Sequence, residues 1–137
     1  MRLPVCLGLA LLAASPCAAQ DYILFKSPSG NILCGIFDDD YPGARCDMRS
    51  LTPSFTRRPA DCDLEWGSSF WIGADARRGE VACVGDIVGS PDEAQVLNYG
   101  RILSYGYITC ISEEIGVSCT NDEGHGFTIA KARQQLY

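Results

Sequence analysis

Tyr107-Ile108-Thr109-Cys110-Ile111-Ser112-Glu113-Glu114-Ile115-Gly116-Val117-Ser118-Cys119-Thr120 is the stretch whose reading decides the fold. β-branched and apolar residues form two arms, Tyr107 to Ser112 and Val117 to Thr120, around a polar turn that ends in glycine. A four-residue loop over Glu113 to Gly116 sets Ser112 opposite Val117, and therefore Cys110 opposite Cys119. Cross-strand Cα spacing suits a disulfide at such a position. Gly116 is expected to supply the positive φ that hairpin loops of this length use.

The same grammar extends in both directions. Tyr22 to Phe25 is a short apolar segment ended by Ser27-Pro28-Ser29-Gly30, the Ser, Pro and Gly placement of a type I turn. Ile32 to Phe37 and Arg45 to Met48 follow as extended segments around Asp38-Asp39-Asp40 and Tyr41-Pro42-Gly43-Ala44. The latter reads as a type II turn with Gly43 at positive φ, and it brings Cys34 and Cys46 onto two arms of one excursion. Arg49 to Glu65, with Pro53 and Pro59, reads as a long loop. Ser68 to Ile72 and Glu80 to Val84 read as strands, which leaves Cys62 and Cys83 to join the loop to the second of them. Ser90-Pro91-Asp92-Glu93 has the cap, first-turn proline and acidic third position of a helix start, so a short helix is expected up to Tyr99 before Gly100. Arg101 to Ser104 is ambiguous. Gly126 to Ala130 reads as a last strand, and Lys131 to Tyr137 as a polar tail with room for a helical turn or two.

The expected fold is a small, disulfide-stapled antiparallel β domain, a sandwich or an open barrel, with at most one or two short helical turns. Residues 1–19 are expected to be a secretory signal and residues 20–137 the single domain. Met1-Arg2 is the positive start, Val5 to Ala14 the apolar run, and Cys17-Ala18-Ala19 the small-residue site for cleavage after Ala19. The rival, a lipoprotein signal acylated at Cys17, fits poorly because Pro16 precedes it. The apolar run is too short for a bilayer span, so no membrane-spanning segment is expected in the mature chain. Export reads Cys34, Cys46, Cys62, Cys83, Cys110 and Cys119 as three disulfides; six cysteines allow fifteen connectivities, among which local hairpin geometry favours the sequential set. Paired thiols are unavailable as nucleophiles or zinc ligands.

The chain of 137 residues carries 11 basic and 17 acidic residues. Removal of residues 1–19 takes away Arg2 and no acid, leaving a net charge of −7. That excludes a basic nucleic-acid footprint.

The cysteine and turn signatures resemble a known pattern. They run Phe25-x-Ser27-Pro28-Ser29-Gly30-Asn31-Ile32-x-Cys34, Arg45-Cys46-Asp47, Pro59-Ala60-Asp61-Cys62-Asp63 with Trp66-Gly67, and Cys83-x-Gly85-Asp86. Leu97-x-Tyr99-Gly100, Cys110-x-Ser112, Gly116-x-x-Cys119-Thr120-Asn121 and Gly124-His125-Gly126-Phe127 complete them. Over nearly all of the mature chain this is similar to a domain-of-unknown-function family of small exported actinobacterial and proteobacterial proteins. Ile129-Ala130-Lys131 departs from that pattern, where a Ser-Arg pair is more usual. The resemblance implies export and disulfides, and no reaction.

The chemistry-bearing residues are few. His125 is the sole histidine; a triad with Ser112 or Ser118 is set against a turn histidine whose flanking glycines serve the backbone. Asp38-Asp39-Asp40 lacks the spacing of a calcium loop and reads as a solvated tip, so no metal or other cofactor is expected. Asp61, Asp63, Glu65 and Asp86 are candidates to cluster near Trp66 and Trp71 for glycan hydrolysis. Trp66, Trp71, Tyr99, Tyr105 and Tyr107 form an aromatic set, in which Trp71 is expected in the core and Trp66 at the surface. Trp66, Asp86 and His125 are the candidate ligand-facing residues.

The expected role is a monomeric, non-enzymatic binding or structural domain, its partner a basic protein such as a cell-wall hydrolase, or a cell-wall glycan. The alternative is a cell-wall glycan hydrolase using acids near Trp66.

Overall fold

The computed structural model describes residues 14–16 and 20–137. The expected signal over residues 1–19, its cleavage after Ala19 and acylation at Cys17 therefore lie largely outside the described residues. Eleven strands are described: β1 (Tyr22–Lys26), β2 (Ile32–Phe37), β3 (Gly43–Met48), β4 (Ser69–Gly73), β5 (Glu80–Val81), β6 (Gln95–Val96), β7 (Ile102–Tyr105), β8 (Ile108–Glu113), β9 (Gly116–Asn121), β10 (Gly126–Ala130) and β11 (Gln134–Leu136). They build a six-stranded sheet, β5-β4-β3-β2-β1-β6, and a five-stranded sheet, β11-β10-β9-β8-β7. All pairings are antiparallel except β1 with β6. The fold is a sandwich, one of the two expected forms, and contains no helix among the described residues.

Period-two alternation aims one face of each sheet inward. Phe25, Ile36, Phe70 and Ile72 from the first sheet meet Ile108, Val117, Phe127 and Ile129 from the second in one buried cluster. At its centre the strands are cross-linked in pairs. Cys34 lies opposite Cys46 and Cys110 opposite Cys119, each pair bridged at a Cα separation of 4.1 Å. The two bridges touch across the sandwich, with Cys46 Sγ 3.8 Å from Cys119 Sγ. Cys62 is bridged to Cys83, so the pairing is sequential throughout.

Two polar side chains make ties at the margins, one between the sheets and one from the second sheet to the long loop. Asn121, at the end of β9, donates from Nδ2 to the carbonyls of Gly73 (3.1 Å) and Ala76 (2.7 Å) on the opposite sheet's turn, and its Oδ1 accepts from the amides of Glu123 and His125. Gln134 is buried and links β11 to the long loop: Oε1 accepts from Ser54 N, and Nε2 donates to Thr52 O and Ala130 O. Residues 49–65 thus have a built anchor although they contain no strand.

Several local expectations are corrected. Ser90 to Tyr99 is not a helix: one turn over Ser90–Ala94 leads directly into β6. Ala94 is buried with Leu24 and Leu33, and the Leu97 amide donates to the Lys26 carbonyl. A two-turn helix is marginal alone, so docking on an open sheet edge outweighs the capping signal. The tail pairs as β11, in a register that places the Gln134 side chain within reach of Ser54, Thr52 and Ala130. Arg101 to Ser104 resolves as strand β7. The segment from Glu80 stops pairing after Val81, and Val84 instead bridges Glu65. The β8–β9 register is as expected, but pairing runs on to Glu113 and Gly116, so only Glu114 and Ile115 turn. Neither Gly43 nor Gly116 has a positive φ. Both are needed for close approach instead: a Cβ on Gly116 would strike the Ile129 carbonyl, and one on Gly43 the Ile72 carbonyl and the Trp71 ring. The Ser27–Gly30 turn is as expected, with Gly30 N donating to Ser27 O at 2.9 Å and Gly30 at φ 75°.

Two outcomes follow. Graded reduction of the native protein releases the Cys62 and Cys83 thiols first, because Cys83 is exposed while Cys34, Cys46, Cys110 and Cys119 are fully buried; alkylation followed by peptide mass mapping reads the order. Asn121→Ala destabilises the domain by about 2–4 kcal/mol in denaturant titration, since it orphans backbone groups of both sheets at once.

Candidate functional site

β3 carries Cys46 inward, so Arg45 and Asp47 stand together on the outer face. The guanidinium fork grips Asp47 with Nε to Oδ1 at 2.8 Å and Nη2 to Oδ2 at 3.0 Å. Its other edge donates to Asp86, from Nη1 to Oδ1 at 3.1 Å and from Nη2 to the carbonyl at 2.6 Å. Asp47 Oδ2 also accepts the Val88 amide at 2.8 Å. Burial works against the Arg45 charge, but the hydrogen bonds and charges of Asp47 and then Asp86 outweigh it and hold its pKa above the ordinary arginine value. Arg45 and Asp47 are well shielded whereas the Asp86 side chain is 81% exposed, so the Asp47 pair supplies the stronger anchor. Together they pin the segment after Cys83 across the outer face, where Val88 packs on Leu24 and Leu33.

The pinned segment is one wall of a groove of about 880 Å³. The Glu65–Val84 bridge, backed by the Cys62–Cys83 disulfide, holds the Glu65 side at a set distance. Leu33, Met48 and Ser69 contribute to the lining, as do Lys26 and Arg49. Lys26 Nζ donates to the Pro91 carbonyl at 2.9 Å. The charged lining is unequal: Asp47, Glu65, Asp86 and Asp92 against Lys26 and Arg49. Glu65 and Asp92 enter none of the ion pairs among the described residues.

Of the four acids singled out in the sequence, Glu65 and Asp86 meet in this groove, while Asp61 and Asp63 are outside its lining. Trp66 is not at the groove surface. It is half-buried against the main core, and its Nε1 is fully buried without a hydrogen-bond partner. Trp71, expected in the core, instead lies on the outer face, because its neighbours Phe70 and Ile72 take the inward positions of β4. Tyr105 donates its hydroxyl to the Gln20 carbonyl, and Tyr99 and Tyr107 are exposed.

His125 is half-buried in the turn between β9 and β10. Its Nε2 lies 3.8 Å from Glu123 Oε2, and its amide donates to Asn121 Oδ1. Ser118 Oγ bonds Thr128 Oγ1, and Ser112 Oγ is buried without a partner, so neither serine is hydrogen-bonded to the imidazole. Gly124 takes φ 84°, while Gly126 is required by contact with the Cys119 backbone rather than by its dihedral. Asp38-Asp39-Asp40 is exposed. Among the described residues, three ligand-type atoms converge only at Cys34, Cys46 and Cys119, whose sulfurs are already in disulfides.

Arg45, Asp47, Lys26, Arg49 and Asp92 were not singled out as site residues from the sequence. Opposite charges flanking a buried half-cystine at i−1 and i+1 are the readable signal for the first two, since both then share one exposed face. For the others no local signal exists, because the groove is made by chain segments far apart in sequence.

No curated protein and no solved structure matches the chain. The model of a family of unknown function, DUF6636, matches residues 5–137, and the chain belongs to that family.

Proposed function

We propose that this protein is an exported, non-enzymatic binding domain that receives a basic segment of a partner protein in the outer-face groove. A cationic cell-wall hydrolase such as lysozyme is the concrete partner class, with the domain acting as its inhibitor. Residues 1–19 provide the export signal, and three disulfides accord with an oxidising compartment. No helix among the described residues is long and apolar enough to cross a membrane.

The observation that carries the reading is the groove itself: Glu65 and Asp92 line it beside Asp47 and Asp86, which Arg45 already engages, with Lys26 and Arg49 also in the lining, around an apolar floor. Its walls are held by the Arg45 fork and the Cys62–Cys83 bridge, so little ordering remains to oppose association. Among the described residues Glu65 and Asp92 enter no ion pair, and both are able to accept a guanidinium or ammonium group. The net charge of −7 adds long-range steering of a basic partner.

Titration calorimetry of the mature protein with a cationic lysozyme at low and high salt tests this. Saturable binding is expected to weaken with salt, and Glu65→Gln with Asp92→Asn is expected to weaken it about tenfold or more. Affinity unchanged by both salt and the double substitution overturns it. Zymography on peptidoglycan separates the hydrolase alternative, which the meeting of Glu65 and Asp86 favours. The expected result is no clearing, and clearing that vanishes in Glu65→Gln would replace binding by hydrolysis.

A further inference from the structure

A second concavity lies at the other end of the first sheet's outer face. Three turns converge there. The turn between β2 and β3 brings Asp40, Tyr41 and Pro42, the turn after β4 brings Asp75, and the turn between β7 and β8 brings Tyr107 from the opposite sheet. Trp71 supplies the wall from β4, and the concavity, open to solvent beside the exposed Tyr41 and Tyr107, has a volume of about 530 Å³. The indole lies over Gly43, where any side chain would displace it, and it continues a row of rings, 6.4 Å from Phe37, which is itself 6.1 Å from Tyr22.

Three aromatic rings and two carboxylates line this space, and among the described residues no lysine, arginine or histidine does. A neutral apolar ligand would gain nothing from the two exposed carboxylates, and an anion would be repelled by them. An ammonium group answers both features: ring faces attract a cation through their quadrupole, and carboxylates neutralise it. The volume falls within the range of small-molecule sites. The site is also held in shape. Asn121 fixes the Gly73 and Ala76 carbonyls that bracket Asp75, and the Ala74 amide donates to the Pro42 carbonyl, locking two of the three turns together.

We infer that this cavity is a binding site for an alkylammonium cation, held over Trp71 between Tyr41 and Tyr107 with Asp40 and Asp75 as counter-ions. The chemistry is shared by a small quaternary ammonium compound and by the lysine of a partner protein. It is separate from the groove of Glu65 and Asp92, so either assignment stands without the other.

Calorimetry and tryptophan fluorescence with choline chloride test it, in a Trp66→Phe background that leaves Trp71 as the sole tryptophan. Saturable binding with a change in Trp71 emission is expected. The uncharged carbon isostere of choline is expected to bind at least about tenfold more weakly. Tyr107→Ala and Asp75→Asn, both at exposed turn positions, are each expected to weaken choline about fivefold, while Glu65→Gln leaves it unchanged. N-acetyl-lysine methylamide is titrated in parallel; tighter binding than choline assigns the cation to a partner's lysine, and the reverse assigns it to a small quaternary ammonium ligand. Equal binding of choline and its isostere, or no response to either cation, overturns the inference.

Discussion

The contact between two cystines at the centre of the sandwich is the constraint on which the rest depends. Each sheet is cross-linked through its middle, at Cys34–Cys46 and Cys110–Cys119, and the two bridges meet at 3.8 Å between Sγ atoms. All four cysteines are fully buried. A cystine is compact and polarizable, so stacking two of them lets the sheets approach closely at that point. The larger side chains, Phe25, Phe70 and Phe127, then occupy the space around them, with Phe70 and Phe127 6.2 Å apart. Loops closed over sequence separations of 12, 21 and 9 residues each remove roughly 3 kcal/mol of unfolded-state entropy. For a domain of this size that is comparable with the whole margin by which folding is favoured.

A framework held in this way leaves the opposite face of the first sheet to be shaped by other means. That face is not a bare plane. Arg45 stands between its two concavities, with the acidic groove toward Asp47 and the aromatic cavity toward Gly43. The Arg45–Asp47 pair holds the chain after Cys83 down on the sheet, and Asn121 holds the turn after β4 from the other side of the sandwich. Both concavities are therefore built from polar clamps reaching across sequence, set on strands that the disulfides keep in register. Preorganisation of this kind lowers the ordering cost of holding a ligand against that face.

Legibility in the sequence followed the range of the interaction concerned. The hairpin around Glu114-Ile115 and the turn at Ser27–Gly30 are specified by residues within a few positions, and the observed registers match that reading. Ser90-Pro91-Asp92-Glu93 carries a helix-start signal of equal clarity, yet β1 offers the following residues an open edge and Leu24 and Leu33 offer Ala94 an apolar seat. Local preference there amounts to a few tenths of a kcal/mol per residue, and burial outweighs it. The glycines repeat the point. Gly30 has the turn role that its neighbours imply, whereas Gly43 and Gly116 are small because of a distant carbonyl or ring that no neighbouring residue reveals.

The order of residues alone therefore determined the class of fold, the strands that pair as hairpins, the preference for cysteine bridges within those hairpins and the acidity of the surface. Each of these depends on short-range pattern or on composition. Which way Trp66 and Trp71 face, the meeting of Glu65 with Asp86 and of Tyr107 with Asp75, and the clamps at Arg45 and Asn121 were decided only when two sheets closed on each other. Those contacts join segments dozens of residues apart, and their geometry exists only once the core has set the distance between the sheets.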